Sequence, residues 1–157
     1  MITPLAPQFE YALTITLELG KVLWVTPSDT GASRAGVYLT EGTFEGPDIK
    51  GIVIPNSGAD WPLLRPNGVI DFDARYMLQT DDGAIIYLQN RGFRWGSEAV
   101  MEKMRRHEAV DPKDYYFRVS PKFEAPAGRH DWLNRYVFVG VAEKTPNGNA
   151  IHYHKVL

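Results

Sequence analysis

Apolar and polar residues alternate along several short segments of this chain. From Phe9 to Leu19, every odd position is apolar, while Glu10, Thr14, Thr16 and Glu18 occupy even positions. A period of two predicts a β-strand with one covered face. The pattern leaves open whether that face meets the core or a second subunit.

Shorter strands are predicted along the rest of the chain. The segments "YYFRVSPKFE", "WLNRYVFVGVAEK" and "AIHYHKVL" are rich in aromatic and branched residues, and glycines at 42, 46, 51 and 58 suit the bends of a small barrel. The segment "GSEAVMEKMRRHEAV" (96–110) predicts the one helix, capped by Ser97 and ended by Asp111-Pro112. About eight to ten strands and one short helix predict an all-β fold, a single closed antiparallel β-barrel.

The segment "GVIDFDARYMLQTDDGAIIYLQNRG" (68–92) predicts a β-hairpin that turns at Asp82-Gly83. A two-residue turn places Arg75 opposite Asn90, so that Asp73, Arg75 and Asn90 share one face. Because neither face is uniformly polar, one interpretation is a polar cluster that lines the barrel interior. The alternative is a solvated charge patch, and a register slip of one residue exchanges the faces.

Composition limits the class of protein. A chain of 157 residues with 44% hydrophobic and 23% charged residues predicts a single domain, 1–157. The net charge of −2 argues against nucleic acid and anionic membranes as partners. The start "MITPLAPQFE" lacks the pattern of a signal peptide and no apolar run is long enough for a membrane span, so the expected location is cytoplasmic.

No cofactor or metal is expected from the motifs present. The chain has no cysteine, no glycine-rich phosphate loop and no dinucleotide fingerprint. His152 and His154 share one face of a predicted strand, but a metal site needs a third ligand, and His107 and His130 lie in a helix end and a loop.

Several motifs together resemble one family. The segments "GTFEGP", "GADW", "DARYMLQTDDGAIIYLQNRG", "DYYFRVSPKFE" and "WLNRYVFVG" follow one another in the order typical of the DUF3237 domain family. The resemblance implies a small β-barrel similar to the allene-oxide-cyclase-like and lipocalin-like barrels. Related barrels bind small apolar or aromatic molecules, and some cyclise or isomerise them, although a fold does not fix a function.

The resemblance also implies a set of polar site positions. They are Asp60, Trp61, Asp73, Arg75, Tyr76, Asn90, Arg118, Trp132 and Asn134. A carboxylate beside an arginine stays ionised, whereas a second carboxylate nearby has its pKa raised. Asp73, Asp60 and Arg75 are therefore the catalytic candidates, unless they form a structural salt bridge that fixes the strand register.

Two functions are compatible with these residues. The first is a cofactor-independent isomerase, cyclase or lyase acting on a small oxo-acid, for example an aromatic-derived one. In it Asp73 or Asp60 moves a proton and Arg75 and Arg118 hold negative charge. Substrate contacts come from Trp61, Tyr76, Asn90, Trp132 and Asn134. The second is a non-catalytic carrier of a small apolar or aromatic ligand. A barrel filled by its own side chains, and a homodimer or higher homo-oligomer, also stay open.

Overall fold

Eight antiparallel strands form a closed ring in the computed structural model, which describes residues 1–157. The strands are β1 (Phe9–Val25), β2 (Ser33–Glu45), β3 (Lys50–Val53), β4 (Ala59–Asp60), β5 (Leu63–Leu64), β6 (Ile70–Thr80), β7 (Ile85–Gly96), β8 (Tyr115–Glu124), β9 (Val137–Lys144) and β10 (Gly148–Val156). The ring runs β1-β10-β9-β8-β7-β6-β3-β2 and closes because β2 pairs with β1. The short strands β4 and β5 join β2 to β6 beside β3. The predicted all-β barrel is confirmed.

The long first strand faces the core with most of its predicted apolar positions. Leu13, Ile15 and Leu17 are buried in the main apolar cluster. A register shift between Tyr11 and Leu13 breaks the alternation, so Tyr11 and the preceding Phe9 are exposed. The prediction that Phe9 and Tyr11 lie on the buried face is therefore wrong, because a β-bulge inserts one extra residue into the strand. The alternation in the sequence does not reveal such a bulge.

One end of the barrel is closed by aromatic packing, and we call it the closed end. Phe123 contacts Phe138 and Tyr153 edge to face, with ring centroids 5.1 and 5.9 Å apart. A 3-10 helix, Asp131–Asn134, covers this end with the buried Leu133. The prediction that a strand runs through Trp132 is wrong, since strand β9 begins only at Val137.

The opposite end lies beside the one α-helix, and we call it the open end. Helix α1 (Glu98–Arg105) begins after Ser97, whose hydroxyl accepts the Val100 N–H at 3.2 Å. The N-cap prediction is confirmed. The helix ends earlier than predicted, because His107 takes a left-handed φ of 59° before Asp111 is reached. No helix of the protein is long and apolar enough to cross a membrane.

Candidate functional site

The β6–β7 hairpin has a longer loop than its sequence predicts. The Thr80 N–H donates to the Ala84 carbonyl and the Gly83 N–H donates to the Thr80 carbonyl, both at 2.9 Å. Three residues, 81–83, therefore form the loop, and Gly83 has a φ of 89°. A turn followed by a left-handed glycine is a common form of such a loop. Arg75 consequently pairs with Gln89, and the predicted pairing with Asn90 is wrong by one residue.

This register places the charged face of the hairpin in solvent. The Arg75 side chain is 55% exposed, and its Nε lies 3.6 Å from Oδ1 of Asp73. Gln89 Nε2 donates to the same Asp73 oxygen at 3.2 Å. Asp73 and Arg75 thus form the surface charge patch of the alternative interpretation, and they do not meet the barrel interior.

Asp60 and Asn90 are the predicted site residues that face each other inside. Asp60 pairs with Ala74, which pairs in turn with Asn90, so the three inward positions form one row across β4, β6 and β7. Strand β4 reaches β6 because Gly58 precedes it, since a Cβ at Gly58 would lie 1.7 Å from the Arg75 carbonyl oxygen. The small Ala74 side chain leaves a gap between the carboxyl and the amide.

That gap belongs to a cavity that runs towards the open end. Its volume is about 30 Å³, which gives room for about two water molecules. Nine apolar residues line it together with Asp60, Asn90 and Asn149, while Tyr76 forms part of its wall.

The interior concentrates polar atoms that have no partner. Seven buried side-chain polar atoms lack a hydrogen bond, and four of them cluster at the cavity. Asp60 Oδ1, Asn90 Oδ1 and Asn149 Oδ1 belong to lining residues, and Arg94 Nε belongs to the guanidinium over the lining rings of Phe72 and Phe117. Of the others, the Tyr76 hydroxyl approaches that of Tyr153. Because buried polar groups normally have a partner, so many in one place indicate a site for water or a polar ligand.

Arg94 provides positive charge to this interior, and the sequence analysis missed it. Its guanidinium lies over the rings of Phe72 and Phe117, at 5.5 and 5.4 Å from their centroids. No carboxylate approaches within 4 Å. Burial lowers its pKa to about 10, although the charge of Asp60 acts in the opposite direction.

The other titratable groups of the interior respond to burial as expected. Burial raises the pKa of Asp60 to about 6, with the positive charge of Arg94 opposing the rise. Burial and the neighbouring Arg94 lower the pKa of Lys144 to about 8. Lys144 lies at the rim and is more than a third exposed, so water screens its charge and its shift carries less weight. Burial raises the pKa values of Tyr76 and Tyr153, whose hydroxyls stay protonated.

The remaining predicted residues lie elsewhere. Trp61 packs on the outer face against Gly36, where a Cβ would come 2.8 Å from its ring, and Arg118 stacks on Tyr116 at 5.3 Å outside the barrel. At the closed end, Trp132 packs against Phe138 with ring centroids 6.1 Å apart. The Asn134 side chain accepts a hydrogen bond from the Ala125 N–H at 2.8 Å and donates one to the Ala125 carbonyl at 2.9 Å. None of these four side chains lines the cavity.

A signal for the missed residues was present in the strand pattern. Arg94 lies four residues after Asn90 on β7, so any register that turns Asn90 inward also turns Arg94 inward. In β10, Asn149 and Tyr153 share the same parity.

The fold and the site together define a closed antiparallel β-barrel with an apolar end and a polar, cation-bearing end. The family described as "Protein of unknown function (DUF3237)" matches residues 7–156, and the chain belongs to that family. The crystal structure of a conserved protein of unknown function from Rhodopseudomonas palustris is 37% identical with a TM-score of 0.91, over 99% of this chain and 100% of that one.

Two further solved structures share the fold. A β-barrel-like protein from Acinetobacter baumannii is 36% identical with a TM-score of 0.83, and the match covers 100% of both chains. An enzyme from Penicillium herquei has a TM-score of 0.76 over 100% of this chain and 99% of that one. Its identity of 24% makes it a fold relative only.

Proposed function

We propose that the open end of the barrel binds a small oxo compound and moves a proton on it without a cofactor, in the manner of an isomerase, cyclase or lyase. One observation carries the proposal. A cavity-lining carboxyl, Asp60, has a pKa raised to about 6 among buried polar atoms that lack partners. A general base or acid works best when its pKa lies near the working pH.

The negative charge of ionised Asp60 and the positive charge near it define the proposed chemistry. Ionised Asp60 takes a proton from the carbon next to the substrate carbonyl, and the electron pair moves onto the carbonyl oxygen to give an enolate. The positive charge of Arg94 in the same interior favours this negative charge, and the scarcity of water there strengthens its effect. Asp60 then returns the proton to the same or another carbon, so no oxidant or reductant is needed.

The size of the cavity limits how the substrate enters. A cavity of about 30 Å³ holds only the reacting end of a molecule, so the rest of the substrate extends out of the open end. The nine apolar wall residues favour a substrate with a largely apolar body.

Hydrogen–deuterium exchange tests this proposal. We expect the protein to accelerate exchange at the carbon next to the carbonyl of 4-oxopentanoate, 2-oxobutanoate or cyclohexanone in D₂O, followed by proton NMR. Asp60→Asn should slow the catalysed exchange by about 100-fold or more, the usual contribution of a positioned acid or base. Asp73→Asn is the matched control, because its carboxylate lies on the outer face. Equal exchange by the wild type and Asp60→Asn would contradict the proposal.

A carrier function is the second candidate, and the apolar cavity wall favours it. A carrier binds an apolar ligand without exchanging its protons, and its affinity depends on wall residues such as Phe72 and Phe117. Binding that survives Asp60→Asn unchanged, with no exchange in the wild type, would favour this candidate.

A further inference from the structure

Arg94 is a partly buried cation that makes no hydrogen bond or ion pair within the protein. Its Nε is buried without a partner, and its guanidinium contacts the rings of Phe72 and Phe117. A charge withdrawn from water normally has a counter-ion, because leaving it unpaired is costly. Several exposed arginines do pair with carboxylates, among them Arg65, 2.9 Å from Asp71, and Arg75, 3.6 Å from Asp73.

The titratable groups around Arg94 leave it without a direct ion pair. They are Asp60 on β4, Tyr76 on β6, Tyr115 on β8 and Tyr153 on β10, with Lys144 of β9 at the exposed rim. Asp60 is the one carboxyl among them, and it does not come within 4 Å of the guanidinium. The N–H donors of Arg94 are therefore available to an anionic group of a ligand.

We infer that Arg94 binds the carboxylate of the substrate, so that the site takes a small oxo-carboxylate. The inference rests on the proposed function for the role of the oxo group. Arginine suits this task because its planar fork of N–H donors matches the two oxygens of a carboxylate.

The strand register offsets the Arg94 guanidinium from Asp60 along the barrel. The guanidinium lies against Phe72, and Asp60 pairs with Ala74, the next inward position of β6. Two residues along a strand span about 7 Å, and Asp60 and Arg94 also lie on opposite sides of β6. A substrate held by both groups therefore needs a short carbon chain between its carboxylate and its carbonyl, and 4-oxopentanoate is such a molecule.

Calorimetric titration with 4-oxopentanoate and with its methyl ester tests the inference. The ester keeps the carbon chain and the oxo group but loses the negative charge. We expect the acid to bind the wild type and the ester to bind about tenfold or more weakly, because charge-assisted hydrogen bonds are lost. An ester that binds as tightly as the acid, or an acid that gives no binding, would overturn the inference without any variant.

Two arginine variants test whether Arg94 is the residue that holds the carboxylate. Arg94→Met should weaken binding of the acid by about tenfold to a hundredfold and leave the ester unaffected. Arg118→Met is the matched control, because Arg118 also stacks on an aromatic ring, that of Tyr116, but lies on the outer face. Equal losses in both variants, or a normal affinity in Arg94→Met, would show that the carboxylate is not held by Arg94.

A melting measurement separates ligand binding from a structural role of Arg94. Without ligand, Arg94→Met should melt at or above the wild-type temperature, because methionine removes an unpaired buried charge and fills similar space. If Arg94→Met unfolds instead, Arg94→Lys keeps the charge without the fork and should bind the acid more weakly than the wild type. An unchanged affinity in Arg94→Lys would then contradict recognition by the fork.

Failure of this inference differs from failure of the proposed function. If Arg94 does not hold a carboxylate but Asp60 moves protons, the ester and the acid exchange deuterium equally and Asp60→Asn stops both. If the acid binds through Arg94 but no exchange occurs, the carboxylate site stands and the proton transfer does not. The acid should also bind Asp60→Asn at least as tightly as the wild type at pH 8, because a repelling carboxylate is removed.

Discussion

Gly140 shows how a single inward position shapes the interior. A Cβ at this residue would lie 2.5 Å from Val119 Cγ2 and 2.9 Å from the ring of Tyr153. Because Gly140 has no side chain, the Tyr153 ring can lie across the barrel, with its hydroxyl among the unpartnered polar atoms. Glycine is needed here for space, since its backbone does not require a positive φ.

We predict that Gly140→Ala destabilises the protein by about 1–3 kcal/mol, the usual cost of overpacking a core. Urea unfolding measures the change. Gly96→Ala is the control, because its nearest atoms, Tyr115 Cβ and Val100 Cγ1, lie at an ordinary 3.4 Å. A Gly140→Ala protein as stable as the control would mean that Tyr153 moves aside freely.

Individual residues also show which part of the candidate site could be predicted from the sequence. Asp60, Tyr76 and Asn90 were candidates from their motifs and all three line the cavity. Asp73 was a candidate for the same reason and lies outside. One strand carries both Asp73 and Tyr76 with opposite parity, so at most one of them can face the interior.

At the scale of elements, the loop of the β6–β7 hairpin is tied to the closed end. Both oxygens of Asp82 approach Nε2 of the buried His130, at 2.9 and 3.1 Å, and the Thr80 hydroxyl donates to Asp82 as well. The Thr80 bond, the His130 bond and the charge of Arg129 hold the pKa of Asp82 at about 2. The ionised carboxylate thereby connects the hairpin to the loop before the 3-10 helix.

We predict that Asp82→Asn melts at a lower temperature than the wild type at pH 7. Because the folded pKa of Asp82 is depressed from 3.8 to about 2, its contribution is complete above pH 4 and is lost as the pH falls towards 2. The melting difference should therefore shrink between pH 4 and pH 2. Asp81→Asn, in the same exposed loop but with a side chain that does not bond Thr80 or His130, should show no such difference.

This loop also explains the error in the predicted register. The dipeptide Asp82-Gly83 correctly marks a turn with a left-handed glycine, but it fits both a two-residue and a three-residue loop. The bonds of Thr80 to Ala84 and to Asp82, together with the contact to His130, select the longer loop. His130 lies 48 residues after Asp82 in the chain, so a local pattern does not contain this information.

At the scale of the whole molecule, the barrel combines a stable closed end with an open end that lowers stability. Asp60 illustrates the cost, because its folded pKa of about 6 lies above its ordinary value of 3.8. A raised pKa means that its contribution to stability is complete below pH 3.8 and is lost as the pH rises through 6. Binding sites often carry such strain, since the unsatisfied groups are reserved for a ligand.

We predict that Asp60→Asn is more stable than the wild type at pH 8, by on the order of 2 kcal/mol, or about 4–8 °C in melting temperature. The gain should fall towards zero near pH 4, where the wild-type carboxyl is protonated. Thermal melting from pH 4 to pH 8.5 measures it. A less stable variant at pH 8 would show that the Asp60 charge stabilises the fold.

The sequence by itself determined the elements of this protein and their class. Strict alternation, aromatic and branched residues, and glycine bends specify short antiparallel strands, and these are local properties of neighbouring residues. The interior was decided by the tertiary structure, because inward parity depends on bulges and loop lengths that distant contacts select. Closing the ring then brings Asp60 and Asn149, from two separate strands, to one end of the barrel, where Arg94 lies over the lining rings of Phe72 and Phe117, and together they form the candidate site.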